Sequence, residues 1–141
     1  MMSEFVVVET APDVETYQRF RESAGWDRAP EARCDGALRN SAWAAVAYRN
    51  DDAVGMARVI GDGVYWYVQD VIVVPEARGH GLGQRLMAGV ERFLAENSSP
   101  GTFIGLMAAN GVENFYTRWG YRRRDDGAPG MFKTVTREPR G

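Results

Sequence analysis

A strand, a glycine-rich turn and a helix follow one another directly from Val71 to about Asn97, and this order constrains the chain more than any other feature. The apolar run 71–74 ends at Pro75, and the turn at 78–83 contains three glycines. Such a turn gathers backbone N–H groups at the start of a helix, where the helix dipole favours anions. A phosphate can approach glycine closely because glycine has no Cβ. The sequence therefore predicts a site for a phosphate-bearing ligand, and the alternative is an ordinary strand-to-helix turn.

The spacing of the glycines narrows the kind of ligand. A dinucleotide fingerprint requires G-x-G-x-x-G, and Gly79 and Gly81 fit its first two positions, but Gln84 stands where the third glycine is needed. A Walker-type phosphate loop fails at the same residue. The pattern that is present is R-x-x-G-x-G, formed by Arg78, Gly81 and Gly83. These spacings disfavour a nucleotide- or dinucleotide-binding protein.

A second motif follows about thirty residues further along the chain. A short apolar strand is predicted at 102–108, and then comes Phe-Tyr-Thr-Arg-Trp-Gly-Tyr at 115–121. A glycine followed by an aromatic residue is typical of a helix that ends and a strand that begins. Together the two motifs resemble those of the GCN5-related N-acetyltransferase (GNAT) superfamily, which has R-x-x-G-x-G after a strand ending V-x-P, and F-Y-x-x-x-G-[FY] beyond it.

The resemblance implies one GNAT domain over residues 1–141. Its fold would be α/β (α+β), with a mixed, mostly antiparallel sheet of six to seven strands and about four helices. The sheet would splay between the strands at 64–74 and 102–108. From the sequence we predict helices at 13–23, 30–39, 82–97 and 111–119, and strands at 4–9, 43–48, 54–60, 64–74, 102–108, near 121–124 and near 131–135.

The resemblance also implies that the cosubstrate is acetyl-coenzyme A (acetyl-CoA). The sequence has no H-x-x-H, C-x-x-C or carboxylate cluster that would indicate a metal. The pyrophosphate of acetyl-CoA would bind the turn, and its pantetheine amides would pair with the preceding strand as an added strand does. The Arg78 side chain would either contact the phosphates or brace the turn, and the only histidine is expected to be a loop residue near the phosphates. The expected coenzyme contacts are Ile72, Val73, Val74, Arg78, Gly79, His80, Gly81, Leu82, Gly83, Asn110 and Asn114.

The reaction implied is direct attack of an amine on the thioester. Tyr116 is the candidate general acid for the leaving thiolate, because a tyrosine with a pKa near 10 stays protonated at neutral pH. A backbone N–H near Ile72 or Val73 is the candidate oxyanion donor. Asp70, a carboxylate on an apolar strand, is either the general base or the partner in an internal salt bridge or turn. A water chain could also replace a base.

Composition limits the partners. The net charge is −2, with no basic stripe beyond 122–124, which disfavours nucleic acid. No apolar run approaches the roughly 20 residues of a membrane span, and the start shows no signal peptide. A single cysteine is typical of a reducing compartment, so we expect a cytoplasmic protein, and a homodimer by analogy with the family.

The amine acceptor is expected to be a small molecule. Strand alternation predicts Tyr65 and Tyr67 on one face of the sheet, and Trp66 with Asp70 on the other. Aromatic rings and an acid suit a cationic amine with an apolar body, although core packing explains the rings as well. The alternatives are an acetyltransferase acting on a protein or peptide amine, and a non-catalytic acyl-CoA sensor or interaction module.

Overall fold

One five-stranded sheet carries the fold in the computed structural model, which describes residues 4–136. The strands are β1 (Phe5–Val8), β2 (Trp43–Arg49), β3 (Asp52–Gly61), β4 (Tyr65–Val73) and β5 (Phe103–Gly105). The helices are α1 (Val14–Ser23), α2 (Glu31–Arg39), α3 (Leu82–Asn97) and α4 (Glu113–Thr117), with a 3₁₀ turn at Pro75–Ala77. Contacts within the chain define two compact units, one up to Met107 and one from Ala108 onward.

The strands lie in the order β1-β2-β3-β4-β5. Pairing is antiparallel from β1 to β4 and parallel between β4 and β5, so the sheet is mixed and mostly antiparallel as predicted. The number of strands was predicted wrongly: residues 121–124 and 131–135 form no strand. Residues 122–124 are three consecutive arginines, and Met131 and Phe132 are 91% and 79% exposed, so neither segment has the buried face that stabilises a strand.

Helix α3 supplies the main face that covers the sheet. Its buried apolar side chains recur with helical spacing at Leu82, Leu86, Met87, Val90 and Leu94. Burial of each such side chain contributes about 1.5–3 kcal/mol. The helix packs on β2, β3 and β4, which fixes its N-terminus at the end of β4.

Helix α1, predicted at 13–23, is capped by Asp13. The Asp13 carboxylate accepts a hydrogen bond from the Thr16 amide at 2.7 Å, and this bond lowers the pKa of Asp13. Phe20 on the same helix is fully buried, and Tyr17 is 4% exposed. The cap and the buried Phe20 side chain fix the position of Tyr17.

A β-bulge interrupts the pairing of β3 with β4. Gln69 pairs with Arg58 and Ile72 pairs with Met56, so two residues of β4 oppose one residue of β3. Asp70 is in the bulge and has a left-handed backbone with φ 54°. The bulge therefore adds one residue to the alternation along β4.

This bulge overturns the predicted grouping of Trp66 with Asp70. Trp66 packs edge-to-face on Phe93 of α3, and it pairs with Gly61. Arg58 lies three residues before Gly61 on the same strand and so points to the opposite face. Because the Asp70 carboxylate binds Arg58, Asp70 lies on the face away from α3.

Candidate functional site

The edge of β4 opens partway along the strand. Its pairing with β5 extends from Tyr65 opposite Phe103 to Tyr67 opposite Gly105. Within residues 4–136, no strand pairs with residues 68–73 on that side. This is the splay predicted from the family resemblance.

The direction of the backbone hydrogen bonds shows which residues face this open edge. Before the bulge, Tyr65 accepts from Asp62 of the hairpin at 3.0 Å, and Val64 accepts from Phe103 at 3.2 Å. Odd-numbered residues there bond toward β3 and even-numbered residues bond toward β5. Beyond the bulge the parity is reversed, because the Val74 amide donates to Val54 at 2.9 Å.

One of the three backbone positions predicted to bind pantetheine therefore faces the open edge. Val73 directs its N–H and C=O away from β3, whereas Ile72 and Val74 direct theirs toward it. The Val73 carbonyl accepts a hydrogen bond from the Arg78 Nε at 3.1 Å. The N–H of Val73 is thus its remaining polar backbone group on that edge.

The Nε of Arg78 donates to the Val73 carbonyl, a contact that fits bracing of the turn, one of the two roles that the sequence left open. Its guanidinium ties the turn at 78–83 back to the last residue of β4. The open strand edge and the glycine-rich turn are therefore joined by a side chain as well as by the backbone.

The turn fits a phosphate group. Gly79 and Gly81 have left-handed backbones, with φ 83° and 77°, and a Cβ at either would meet nothing within 4 Å. The backbone conformation requires glycine, and the space beside it is open to a ligand. Gly81 caps α3 without a side chain, so the first amides of the helix have no acceptor within the helix. These amides and the helix dipole favour an anion.

His80 lies in this turn as an exposed residue. Its ring is 5.0 Å from the ring of Phe5, centroid to centroid, in a tilted arrangement. It contacts an aromatic neighbour on β1, as a loop residue would.

Tyr116, Asn110 and Asn114 lie in the unit that begins at Ala108. Tyr116 is a half-buried residue of α4, and burial raises the pKa of its hydroxyl above its ordinary value. Its ring packs against those of Phe115 at 5.1 Å and Tyr121 at 6.3 Å. Asn110 lies in the turn before α4, and the Asn114 carbonyl accepts from the Thr117 hydroxyl at 2.8 Å.

Asp70 is in a buried hydrogen-bonded ion pair, as one of the sequence alternatives had it. Its Oδ2 accepts from the Arg58 Nε at 2.7 Å and from the Tyr17 hydroxyl at 2.7 Å. The side chain of Asp70 is 1% exposed. Burial and the negative charge of Asp70 raise the pKa of Tyr17.

Sequence reasoning missed Arg58 and Tyr17. Arg58 is the one cation in the apolar run 53–60 and is 8% exposed. A buried cation needs a carboxylate partner, so its position was a usable signal. Tyr17 carried no such signal, because a tyrosine on the apolar face of a helix is explained by packing alone.

Residues 4–136 contain neither a metal-binding cluster nor a membrane-spanning helix. In the range 4–136, no group of three or more His, Cys, Asp or Glu side chains could hold a metal ion. None of the helices described there is long and apolar enough to cross a membrane.

Residues 40–123 match the family model of the acetyltransferase (GNAT) domain. This match covers more than half of the chain and includes β2 to β5, the turn, α3 and α4. The chain therefore belongs to the GNAT acetyltransferase family.

Curated relatives agree with this assignment, and a solved structure shares the fold. GCN5-related N-acetyltransferase 2 of Arabidopsis thaliana is 26% identical over 92% of this chain and 58% of its own length. Serotonin N-acetyltransferase 2 of Oryza sativa is 34% identical over 86% of this chain and 62% of its own length. The chain thus spans about three-fifths of the length of these relatives. A protein of meticillin-resistant Staphylococcus aureus, described as a probable acetyltransferase, shares the fold with a TM-score of 0.87 at 23% identity, over 93% of this chain and 99% of the other.

Proposed function

We propose that this chain is an N-acetyltransferase that transfers an acetyl group from acetyl-CoA to a primary amine of a small molecule. The observation that carries the proposal is the direct succession of an open strand edge at Val73, a turn with unobstructed glycines at 79 and 81, and the N-terminus of α3. This succession matches a ligand that has an amide-bearing arm next to a pyrophosphate.

The donor site would divide between the strand and the turn. The amides of the turn and of the first turn of α3 would hold the pyrophosphate, with the dipole of a 16-residue helix adding to the field. The N–H of Val73 would meet the pantetheine arm or the thioester oxygen. The Arg78 side chain would keep the turn in register with the strand rather than neutralise phosphate.

The chemical step would be direct transfer. The neutral amine nitrogen attacks the thioester carbon, the C–S bond breaks, and the departing thiolate takes a proton from the Tyr116 hydroxyl. The raised pKa of Tyr116 supports this role, because the group stays protonated across the neutral range. The amine loses its proton to solvent, since the Asp70 carboxylate is buried in its ion pair, and the Tyr116 phenolate regains a proton from solvent.

The acceptor would be an amine with an apolar body. Tyr65 is 61% exposed and Phe103 is 41% exposed, and their rings are 6.0 Å apart where β4 pairs with β5. Exposed aromatic rings favour such a cation. Among the relatives, one is a serotonin N-acetyltransferase and another, from Glycine max, is a histone acetyltransferase, so aromatic amines and peptide lysines both belong in a test. A homodimer in the cytoplasm completes the proposal.

The test is release of the coenzyme A thiol from acetyl-CoA, followed with a thiol reagent over a panel of amines. The panel includes aromatic ethylamines, polyamines, aminosugars and a lysine-containing peptide. We expect turnover on at least one small amine and less on the peptide. Turnover on the peptide alone would make the acceptor a protein, and tight binding of acetyl-CoA without turnover on any amine would favour the acyl-CoA sensor.

A further inference from the structure

The bulge in β4 determines which backbone groups reach the open edge. Before the bulge the odd-numbered residues of β4 bond to β3, and beyond it the even-numbered residues do. Without the extra residue the first pattern would continue, and Val73 would turn toward β3 while Ile72 and Val74 faced the edge. The bulge thus presents the Val73 N–H to the edge.

The same bulge connects the edge to the glycine-rich turn. Arg78 can brace the turn only because the Val73 carbonyl points away from β3. A change of register at the bulge would remove the acceptor of Arg78 as well as the edge N–H. Both halves of the proposed donor site therefore depend on one local backbone conformation.

That conformation is uncommon for any residue other than glycine, although aspartate and asparagine adopt it more readily than most. Asp70 has φ 54°, and among residues 4–136 the only other non-glycine residue with positive φ is Asn50, in the exposed turn between β2 and β3. Two groups converge on Asp70, which accepts hydrogen bonds from Arg58 of β3 and from Tyr17 of α1. Arg58 in turn donates to the Ser41 hydroxyl at 3.4 Å. These contacts connect the bulge to the adjacent strand and to a helix.

We propose that Arg58, Asp70 and Tyr17 form a lock that holds the β4 bulge and thereby positions Val73 and Arg78 for coenzyme A. The inference rests on the proposed function for its ligand. Asp70 is a positioning residue in this account and accepts no proton from the amine. Its ion pair is buried, so removing one partner alone leaves a buried charge and threatens folding.

Three variants separate positioning from proton transfer and from general destabilisation. Asp70→Ala removes the lock and the tolerance for positive φ. Asp70→Asn with Arg58→Gln removes both charges together, keeps hydrogen-bonding groups at both positions, and places at 70 the residue type that best tolerates a left-handed backbone. Asn50→Ala is the matched control, because it makes a comparable backbone substitution outside the site.

The first measurement is calorimetric titration with coenzyme A. We expect Asp70→Ala to bind about tenfold more weakly or worse, because it loses two charge-assisted hydrogen bonds. Asn50→Ala should bind within about threefold of the unaltered chain, the range of ordinary context effects. The neutral pair should bind with an affinity between those of the two other variants, because it keeps hydrogen bonds but loses their charge assistance. A folded Asp70→Ala variant that binds normally would overturn the proposal.

The second measurement is kcat and its pH profile for the neutral pair. Positioning predicts that the shape of the pH profile is unchanged, because no proton moves to position 70, and that the loss appears in KM for acetyl-CoA rather than in kcat. A loss of about a hundredfold in kcat with normal coenzyme A binding would make Asp70 a proton acceptor and overturn the lock.

The third measurement is amide hydrogen exchange in the ligand-free protein. The Val73 amide should exchange faster than those of Ile72 and Val74, which bond to β3. In Asp70→Ala this difference should shrink, and persistence of the difference in that variant would contradict the lock. If Asp70→Ala does not fold, the neutral pair carries the test: its contrast should be smaller than that of the unaltered chain, and an unchanged contrast would contradict the lock. If the unaltered chain does not bind coenzyme A but keeps this exchange pattern, the proposed function is contradicted and the assignment of the bulge still holds.

Discussion

At the scale of single residues, the chemistry proposed here depends on the Tyr116 hydroxyl. The ring packs against Phe115 and Tyr121, and partial burial raises its pKa. The Tyr116 hydroxyl can protonate the leaving thiolate only at a pH at which it is itself protonated. Activity should therefore persist at alkaline pH and decline as pH rises through the raised pKa of this hydroxyl.

Tyr116→Phe is expected to lower kcat by roughly 10²-fold, the usual contribution of a general acid. The ring remains, so stability and the Kd for acetyl-CoA should change little. Steady-state kinetics with a fixed amine, together with calorimetric titration, measure both quantities. The matched control is Tyr121→Phe, and equal losses in the two variants would remove Tyr116 from the chemistry.

Tyr17 has a raised pKa for a different reason. Burial and the neighbouring Asp70 charge both disfavour the phenolate in the folded protein. The folded pKa therefore exceeds the unfolded value near 10, so this group contributes full stability below about pH 10 and loses it as pH rises through the folded pKa.

Tyr17→Phe should therefore flatten the alkaline part of the stability profile. The free energy of unfolding of the unaltered chain is expected to fall more steeply above pH 10 than that of the variant. Urea denaturation between pH 8 and pH 11 measures the difference between the two, and the other tyrosines are common to both. Parallel curves across that range would show that Tyr17 does not titrate as the buried contact implies.

At the scale of elements, helix α3 approaches β2 through a glycine. A Cβ at Gly89 would lie 2.7 Å from the Trp43 ring, closer than such contacts occur. The helix can lie this near to the sheet only because position 89 has no side chain. This close approach helps to hold the N-terminus of α3 beside the open strand edge.

Gly89→Ala is therefore expected to destabilise the fold by about 1–3 kcal/mol through overpacking, despite the better helix propensity of alanine. Gly36→Ala is the matched control, because a Cβ at this helical position of α2 would meet nothing within 4 Å. That variant should be stabilised by about 0.5–1 kcal/mol. Chemical denaturation measures both, and two effects of the same sign would contradict the packing shown at Trp43.

Among the elements of the fold, the sequence predicted the helices well but did not predict the bulge or the number of strands. The helices predicted at 82–97 and 13–23 agree with α3 and α1 to within one residue at each end, because apolar spacing and helix capping are local signals. The bulge at Asp70 was not predicted, since it is set by contacts with β3 and α1 that are distant in sequence. The two expected final strands did not form. Apolar residues such as Phe132 stabilise a strand only where a neighbouring element covers them.

Some features of the candidate site could likewise be predicted from the sequence, and others required the structure. The glycines of the turn could be recognised from the sequence, because few residues other than glycine adopt the left-handed backbone found at Gly79 and Gly81. The choice of Val73 over Ile72 and Val74 was not, because it depends on the parity of hydrogen bonds on either side of the bulge. Arg78 could be assigned as a brace only from its contact with Val73.

At the scale of the whole molecule, the central proposal is that a strand edge and a helix N-terminus together hold coenzyme A. Each half binds a different part of the ligand. The strand edge would hold the amide-bearing arm, and the turn would hold the pyrophosphate. A ligand that lacks the pyrophosphate should therefore lose a defined share of the affinity.

The most direct measurement is calorimetric titration of the purified chain with coenzyme A and, separately, with pantetheine, which has the arm without the pyrophosphate. We predict saturable binding of coenzyme A and at least about tenfold weaker binding of pantetheine, because charge-assisted hydrogen bonds to the diphosphate are lost. Equal binding of the two ligands, or no binding of coenzyme A at millimolar concentration, would contradict the claim.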